Sequence, residues 1–306
     1  MILAVAFSKD RAMQLDGMVT SFYKQVVDAE SVNMVILFRT SSDRYAAQYA
    51  ELEREYRRRV ALVPETEFRR QLLQLLGDAS PARPLLTEIS SLLGRPHSGS
   101  SSTGETHVLF LVDDALFVRS FRINEAAQAL SANADVLGFS LRLGRNTSNC
   151  YVLGRRQALP AFESLGNHVL KFAWPAADGD FAYPLELSSS LYRASELAGL
   201  IRRLRFKDPN SLESQMSLQA RRFSRRMPAL LCWDQSVAFS APLNRVQEVF
   251  ANRRAERGAL STETLAGLFD RGQRIDVGAL EGFVPSGCHQ EVHLQFEERS
   301  AKHAKP

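Results

Sequence analysis

The most regular feature of the chain is an alternation of short apolar runs with longer segments of helical periodicity. A continuous apolar run without polar alternation is typical of a parallel strand that is buried on both faces. Helical segments between such runs indicate βαβ units, so the pattern predicts an α/β protein with a mostly parallel sheet. The predicted strands cover residues 2–7, 33–39, 60–63, 107–112 and 136–141.

Capping residues indicate where the helices between these strands begin. Asp10 is a candidate N-cap for the helix after the first strand, and Ser42 or Asp43 for the helix after the second. A third helix is predicted over residues 66–76. Two further helices are predicted over residues 196–204 and 211–226, with a turn at 208–210 between them.

The strand at 107–112 is followed directly by two aspartates, Asp113 and Asp114. Burying a carboxylate is costly unless it is paired or holds a cation. In open α/β sheets, ligands bind at the carboxyl ends of the strands, where these side chains lie. Two carboxylates there suit Mg²⁺ or Mn²⁺ with a diphosphate as co-ligand, which points to a nucleotide-sugar site. Alternatively, the pair caps the next element.

Several classes of protein are disfavoured by what the sequence lacks. No GxGxxG follows the first strand and no GxxxxGK[ST] occurs, which disfavours Rossmann dehydrogenases and P-loop NTPases. No zinc-finger or RRM signature is present, so we expect no nucleic-acid partner. The three cysteines form no disulfide framework, and neither a signal peptide nor a membrane span is recognisable, so we expect a cytoplasmic protein.

The charge of the chain is moderately basic, with a net charge of +4 and a sequence pI of about 9.1. Arginines form clusters at residues 57–59, 202–205 and 221–226. These clusters are either solvated helix faces or a surface that attracts an anionic partner. The second interpretation includes a peripheral position at the inner membrane surface.

Six motifs occur in a fixed order along the chain. They are FSKDRAMQLDGMVTS (7–21), FLVDDALFVRSF (110–121), LGFSLRLGRNTSNCY (137–151), FKDPNSLES (206–214), NRVQ (244–247) and CHQEV (288–292). In this order they resemble a family of bacterial glycosyltransferases with the GT-A fold, related to the nucleotide-diphospho-sugar transferases. The resemblance extends from about the first residue to residue 296.

The resemblance implies one GT-A-like domain over residues 1–298. Its central sheet would be mixed and mostly parallel, with helices on both faces. A Ser/Gly-rich segment at 95–106 is expected to be a mobile loop, and residues 299–306 a basic disordered tail.

The resemblance also implies a divalent cation, Mn²⁺ or Mg²⁺, that bridges the phosphates of the donor. Asp113 and Asp114 would hold it, with His289 as a candidate further ligand. The family motif usually has a third carboxylate, and Ala115 stands at that position. A structural histidine is the alternative for His289.

The loop after the first strand would lie beside the donor nucleotide. Lys9 and Arg11 would meet phosphate, and Asp10 would accept hydrogen bonds from the base or ribose. Arg142, in the SLRLGRN loop, would face the sugar or acceptor, unless it only buttresses that loop. The implied cofactor-binding residues are Ser8, Lys9, Asp10, Arg11 and Arg142.

One stretch departs from the family pattern. YPLELSSSLYR, residues 183–193, has three serines where similar sequences have Asp-Gly-His. That aspartate would be expected to contact the acceptor hydroxyl as a base. Glu186 and Asp180 are the candidate catalytic carboxylates that remain nearby.

We therefore expect a metal-assisted glycosyltransferase. It would move a sugar from a nucleotide-diphosphate donor to an unknown acceptor, which is a glycan, a lipid-linked molecule or a small molecule. The first alternative is a degenerate relative that binds nucleotide sugar or a partner without turnover. A basic scaffold protein on anionic surfaces is the second.

Overall fold

A computed structural model describes residues 1–78, 105–243 and 260–299 of the protein. The described strands are β1 Ile2–Lys9, β2 Val32–Arg39, β3 Val60–Pro64, β4 His107–Val112, β5 Ala115–Phe117, β6 Val136–Ser140, β7 Asn149–Cys150, β8 Arg155–Arg156, β9 Glu163–Ser164, β10 Val169–Ala173, β11 Ser190–Arg193, β12 Ala229–Trp233, β13 Ala238–Ser240, β14 Gln273–Ile275 and β15 Phe296–Glu298. The described α-helices are α1 Ala12–Gln25, α2 Asp43–Tyr56, α3 Phe68–Asp78, α4 Ile123–Ala132, α5 Ala194–Ile201, α6 Pro209–Gln219 and α7 Thr262–Asp270.

A nine-stranded sheet organises the molecule, in the order β3-β2-β1-β4-β11-β6-β12-β10-β9. The first four strands in this order are parallel. Strand β11 runs antiparallel to both β4 and β6, whereas β6 and β12 are parallel to each other. The prediction of a mixed, mostly parallel sheet is confirmed. Because β1 and β4 are parallel neighbours, the chain segments that follow them lie side by side.

Both faces of this sheet are covered, which explains why its strands are apolar without alternation. Strand β1 contributes Ala4 and Ala6 to one face and Leu3 and Val5 to the other, and all four are fully buried. Successive side chains of a strand point to opposite faces, so each face needs its own cover. Helices α1, α2, α4 and α7 pack on the first face, and α3, α5 and α6 on the second.

The five predicted strands are confirmed, each with ends within two residues of the prediction. The prediction that Asp10 caps the first helix is wrong. Arg11 is the N-cap residue of α1 and makes no side-chain cap bond. Asp10 has φ 56° and its Oδ1 accepts a hydrogen bond from the backbone N–H of Ser41, 2.7 Å away. Its carboxylate therefore fixes the segment that follows β2.

The predicted turn at 208–210 is also wrong. Asp208 is the N-cap of α6 and Pro209 is its first residue, an arrangement that begins a helix because proline needs no N–H partner there. The helix predicted to reach residue 226 ends at Gln219 and is followed by a short 3₁₀ helix, Ala220–Arg222.

Three sequence predictions fall wholly or partly outside the described residues. These are residues 95–104 of the predicted loop, the NRVQ motif at 244–247, and residues 300–306 of the predicted tail. None of the helices in the described ranges has the length and apolarity needed to cross a membrane.

A buried ion-pair network fixes the end of the described chain. Asp16 of α1 is fully buried, and its Oδ1 accepts from Arg299 Nη1 at 2.6 Å and from the Tyr56 hydroxyl at 2.7 Å. Arg299 also binds Glu55 Oε1 at 2.5 Å. Arg299, the first residue of the predicted tail, thus ties the segment after β15 to α1 and α2.

We predict that Arg299→Ala lowers the free energy of unfolding by about 3 kcal/mol, because it removes a partner from a buried carboxylate. Arg226 is the matched control, since its ion pair with Glu196 lies at the surface. Arg226→Ala should cost about 0.5 kcal/mol or less. Urea unfolding of both variants measures the difference, and equal losses would contradict the assignment.

Candidate functional site

The first aspartate after β4 is buried and fully engaged. Asp113 is 4% exposed, and its Oδ2 accepts a hydrogen bond from Ser8 Oγ at 2.8 Å. Its Oδ1 accepts from Arg11 Nη1, also at 2.8 Å. Phe7 of β1 pairs with Val112 of β4 in the parallel register, so the two strand ends bring these groups together. Ser8 and Arg11 of the β1 turn, residues 8–11, therefore contact Asp113 directly.

The second aspartate is more open. The side chain of Asp114 is 18% exposed, and its Oδ2 lies 3.4 Å from Arg11 Nη1. Its Oδ1 accepts no hydrogen bond from any residue in the described ranges. One guanidinium therefore serves both carboxylates, and Asp114 keeps an oxygen available for a ligand.

Burial raises the pKa of Asp113 to about 6. The positive charge of Arg11 opposes this rise, and the neighbouring Asp114 adds to it by repulsion. Asp113 is therefore ionised at neutral pH but takes up a proton as the pH falls through about 6. Protonation removes the charge that holds Arg11, so the β1 turn depends on pH in the mildly acidic range.

Tyr49 is part of this cluster, and sequence reasoning missed it. Its hydroxyl is hydrogen-bonded to Ser8 Oγ and accepts from the backbone N–H of Arg11 at 3.2 Å. The ring is fully buried and stacks on Phe38, with 4.6 Å between centroids. Its place on the apolar face of α2 was visible in the sequence, but such a place is ordinarily filled by a core residue. Only the fold shows that its hydroxyl reaches the site.

The other two residues of the β1 turn lie differently. Lys9 is exposed at the end of β1. It follows Ser8 directly but makes no hydrogen bond to the described residues of the aspartate cluster. Asp10 is buried and directed to the segment after β2, through its bond with Ser41. The turn therefore presents an exposed lysine, Lys9, whose charge acts on Glu65, and a carboxylate, Asp10, that is already hydrogen-bonded.

A second charged cluster follows β6. Arg142 Nη2 donates to Glu186 Oε2 at 2.5 Å, and both residues are buried. The backbone N–H of Ser188 donates to the same oxygen at 2.7 Å, and the Ser190 hydroxyl donates to Glu186 Oε1. Both oxygens of Glu186 are thus engaged. Ser188 and Ser190, in the stretch where similar sequences have Asp-Gly-His, thus hold this carboxylate together with Arg142.

His289 belongs to this second cluster. Arg142 Nη1 donates to His289 Nε2 at 3.3 Å and to Ser240 Oγ at 3.1 Å. Burial, together with the charge of Arg142, lowers the pKa of His289 to about 3, so the ring is neutral. Because Nε2 accepts a hydrogen bond from Arg142, the proton of the neutral ring is on Nδ1. Nδ1 has no hydrogen-bond partner among the described residues.

The structure does not gather the three predicted metal ligands. Within residues 1–78, 105–243 and 260–299, no three His, Cys, Asp or Glu side chains are placed to share a metal ion. Each oxygen of Asp113 accepts one hydrogen bond, from Ser8 or Arg11, and Arg142 donates to His289. Of the three predicted ligands, Asp114 has the more open carboxylate and could hold a divalent cation. That is compatible with the way Mg²⁺ binds through one or two carboxylates while substrate phosphates complete its shell.

Strand β13 connects the two clusters. It pairs antiparallel with β5, with Ser240 opposite Ala115. The backbone N–H of Ala241 donates to the carbonyl oxygen of Asp114 at 2.9 Å. Ser240, which binds Arg142, is therefore one residue from a direct contact with Asp114, and the clusters are neighbours on the same edge of the sheet.

The second cluster opens into a cavity of about 450 Å³. Helix α6 forms one wall with Asn210, Ser214 and Ser217, which are spaced to lie on one helix face. Hydroxyl and charged groups from other segments line the cavity together with apolar side chains such as Leu143 and Leu230. Such a mixed lining can hold a hydroxylated ligand. Its charged and thiol-bearing lining includes Arg142, Asp180, Glu186, Glu213, Cys288 and His289.

Two carboxylates in this cavity are less committed than Glu186. Glu213 Oε1 accepts from the backbone N–H of Leu187 at 3.0 Å, whereas its Oε2 has no hydrogen bond to a described residue. Burial raises the pKa of Glu213 to about 7. Burial also raises the pKa of Asp180, whose Oδ1 accepts from the Cys150 thiol at 3.4 Å. Glu213 was missed as a site residue, although it lies in the FKDPNSLES motif.

We predict that the raised pKa of Glu213 appears in the stability of the protein. An unfolded glutamate titrates near pH 4.3. Between about pH 4.5 and 7 the unfolded state therefore loses this proton while the folded state keeps it, so the free energy of unfolding of the wild type should decrease as the pH rises through this range. Glu213→Gln keeps the neutral form and should escape this loss. Urea unfolding at pH 4.5 and pH 7.5 measures it. An equal pH dependence in both proteins would contradict the raised pKa.

Comparison with known proteins gives one relative in sequence. No protein-family model matches the chain. The chain is 24% identical over 277 residues to the bifunctional glycosyltransferase pgtA of Dictyostelium discoideum. The match includes 82% of this chain but only 33% of the relative. The chain thus spans about a third of the length of the curated relative that it matches.

Solved structures give weaker matches. TarS 1–349 of S. aureus in complex with UDP-GlcNAc is 16% identical, with a TM-score of 0.45 over 81% of this chain and 60% of that one. The mannosyltransferase PcManGT of Pyrobaculum calidifontis, in complex with GDP-Man and Mn²⁺, is 15% identical, with a TM-score of 0.46 over 80% of this chain and 58% of that one. The curated relative confirms the glycosyltransferase resemblance indicated by the six motifs, and the sheet confirms the mixed, mostly parallel α/β fold expected with it.

Proposed function

We propose that the protein transfers a sugar from a nucleoside-diphosphate donor to an acceptor hydroxyl. The observation that carries this proposal is the adjacency of two sites on one edge of the sheet. One is the Asp113–Asp114 pair with the β1 turn, and the other is the cavity behind Arg142. Together they offer a place for a diphosphate beside a place for a sugar. The similarity to a curated glycosyltransferase supports the same activity.

The diphosphate would lie at the β1 turn. Asp114 would hold a divalent cation through its free oxygen, and the exposed Lys9 would approach a phosphate. When bound, Mg²⁺ or Mn²⁺ supplies positive charge that offsets the charge on the leaving diphosphate. Asp113 positions Arg11 rather than binding the donor, since both of its oxygens are engaged.

The sugar and the acceptor would occupy the cavity. Its wall offers the hydroxyls of Ser214 and Ser217 and the amide of Asn210, groups that hydrogen-bond sugar hydroxyls. Arg142 and Glu186 neutralise each other in an ion pair that forms the floor of this cavity. Glu186 therefore acts in this proposal as a positioning residue, while Asp180 remains a candidate for contact with the substrate.

Glu213 is the group we propose for proton transfer. The acceptor oxygen would form a bond to the anomeric carbon while the bond from that carbon to the diphosphate oxygen breaks. The proton of the acceptor hydroxyl would pass to Glu213 Oε2, which is not engaged by the described residues. A carboxylate with a pKa near the working pH is well suited to accept a proton.

The donor site is tested by calorimetry with UDP, GDP, CDP and dTDP. We predict that at least one of them binds, and that chelation of Mn²⁺ weakens its binding at least about tenfold, because little else neutralises the diphosphate. Asp114→Asn should abolish the effect of the metal. Asp178→Asn is the matched control, because that carboxylate pairs with Arg155 at the surface. Equal affinity with and without Mn²⁺ would contradict the proposed role of Asp114.

The role of Glu213 is tested by kinetics. Glu213→Gln should lower kcat by about 10²-fold or more with little change in the KM for donor, since general-base catalysis contributes that much. The wild-type rate should rise with pH through about 7, where Glu213 loses its proton. If the rate of Glu213→Gln no longer rises with pH through about 7, Glu213 is the group that accepts the proton. If Glu213→Gln keeps the wild-type rate, Glu213 is excluded as that group.

One observation favours the alternative that the protein binds nucleotide sugar without turnover. Glu186 is held by the Ser190 hydroxyl and by the Ser188 backbone in the segment where similar sequences have Asp-Gly-His. A protein that binds nucleotide but shows neither donor hydrolysis nor transfer would support this alternative.

A further inference from the structure

The mouth of the cavity has an apolar rim. Val152 and Leu153 line the cavity and are 61% and 54% exposed, and Tyr183, which also lines it, is 41% exposed. Leu218 follows the lining residue Ser217 and is 69% exposed. Scattered single apolar residues need no explanation, but several around one opening mark a surface that meets a partner.

The segment that forms the wall of this cavity is strongly basic. Residues 202–226 contain eight arginines or lysines and only two acidic residues, whereas the whole chain has a net charge of +4. The rest of the protein is therefore slightly acidic. Arg221, Arg222 and Arg225 are exposed and form no ion pair with a described residue. Their charge is available to an external anionic partner.

Helix α6, which walls the cavity, also carries the exposed Leu218 and leads into the basic residues that follow it. Ser214 and Ser217 line the cavity, and Leu218 lies one turn after Ser214. Arg221 and Arg222 follow Leu218 by three and four residues, in the short 3₁₀ helix that continues α6. The helix that lines the cavity thus leads directly into exposed leucine and arginine.

We propose that this surface, which comprises Val152 and Leu153 of the cavity lining and Leu218, Arg221 and Arg222 directly after the lining residue Ser217, docks on an anionic membrane. Exposed aliphatic side chains would enter the interface while the arginines bind lipid phosphates. The acceptor would then be a lipid-anchored molecule that enters the cavity from the membrane. This identification of the acceptor rests on the proposed transferase function, whereas the docking itself does not.

Another arginine cluster provides a matched control. Arg57 and Arg58 are equally exposed, but they precede β3 and so lie at the amino end of the parallel strands. The cavity lies at the opposite, carboxyl edge of the sheet. A general attraction of a basic protein would depend on both clusters, whereas docking through the cavity mouth depends on one of them.

Sedimentation with vesicles tests the docking. The full chain should bind vesicles of phosphatidylcholine with phosphatidylglycerol at low salt and bind pure phosphatidylcholine vesicles much more weakly. R221E/R222E should lower the partition coefficient at least about 30-fold, since loss of each basic residue near an anionic surface costs about fivefold and the new negative charges add repulsion. R57E/R58E should change it less than about twofold. Equal losses in the two variants, or no binding by the wild type, would overturn the proposal.

Two further measurements separate this inference from the proposed function. V152S/L153S should lower vesicle binding about tenfold, and the loss should remain at high salt because burial of apolar surface is not screened. R221E/R222E should bind nucleoside diphosphate with Mn²⁺ as the wild type does. Nucleotide binding without vesicle binding would refute the docking alone, and vesicle binding without nucleotide binding would refute the transferase alone.

Discussion

The arrangement of the site depends on the contact between Arg11 and the carboxylates of Asp113 and Asp114. Two adjacent aspartates at the end of a buried strand repel each other, and neither is stable there without a positive partner. The parallel pairing of β1 with β4 brings Arg11 to both of them. One guanidinium therefore allows the sheet to end in two carboxylates, of which one stays open for a ligand.

A buried arginine also neutralises a buried carboxylate in the second cluster, where Arg142 pairs with Glu186. These two residues are 44 positions apart in the sequence. There the arginine also binds His289 and Ser240, so one buried cation holds residues from three other segments. Removing its carboxylate partner would leave a buried charge uncompensated, which ordinarily costs several kcal/mol. The carboxylate at the floor of the cavity is thus held on both oxygens, whereas Oε2 of Glu213 in the wall accepts no hydrogen bond from the described residues.

The sequence was sufficient for the parallel half of the fold and for the aspartates at its edge, because long apolar runs and helical periodicity are local signals. It did not reveal β11, a strand of four residues that enters the sheet between β4 and β6. Nor did it reveal the Arg142–Glu186 pair or the hydroxyl of Tyr49 beside Ser8, since contacts between distant segments leave no periodic trace. Asp10 misled the prediction because an aspartate after a strand is a good helix cap, and here a tertiary contact with Ser41 prevailed.

The central claim is that Asp114 is the carboxylate at which a donor diphosphate and its cation bind. The most direct measurement is a crystal structure with Mn²⁺ and the nucleoside diphosphate that binds best, in which the anomalous signal of manganese locates the ion. The account predicts a single peak bonded to Asp114 and to phosphate oxygens, with Arg11 still paired to Asp113. A manganese peak at His289, or a diphosphate bound away from the β1 turn, would contradict it.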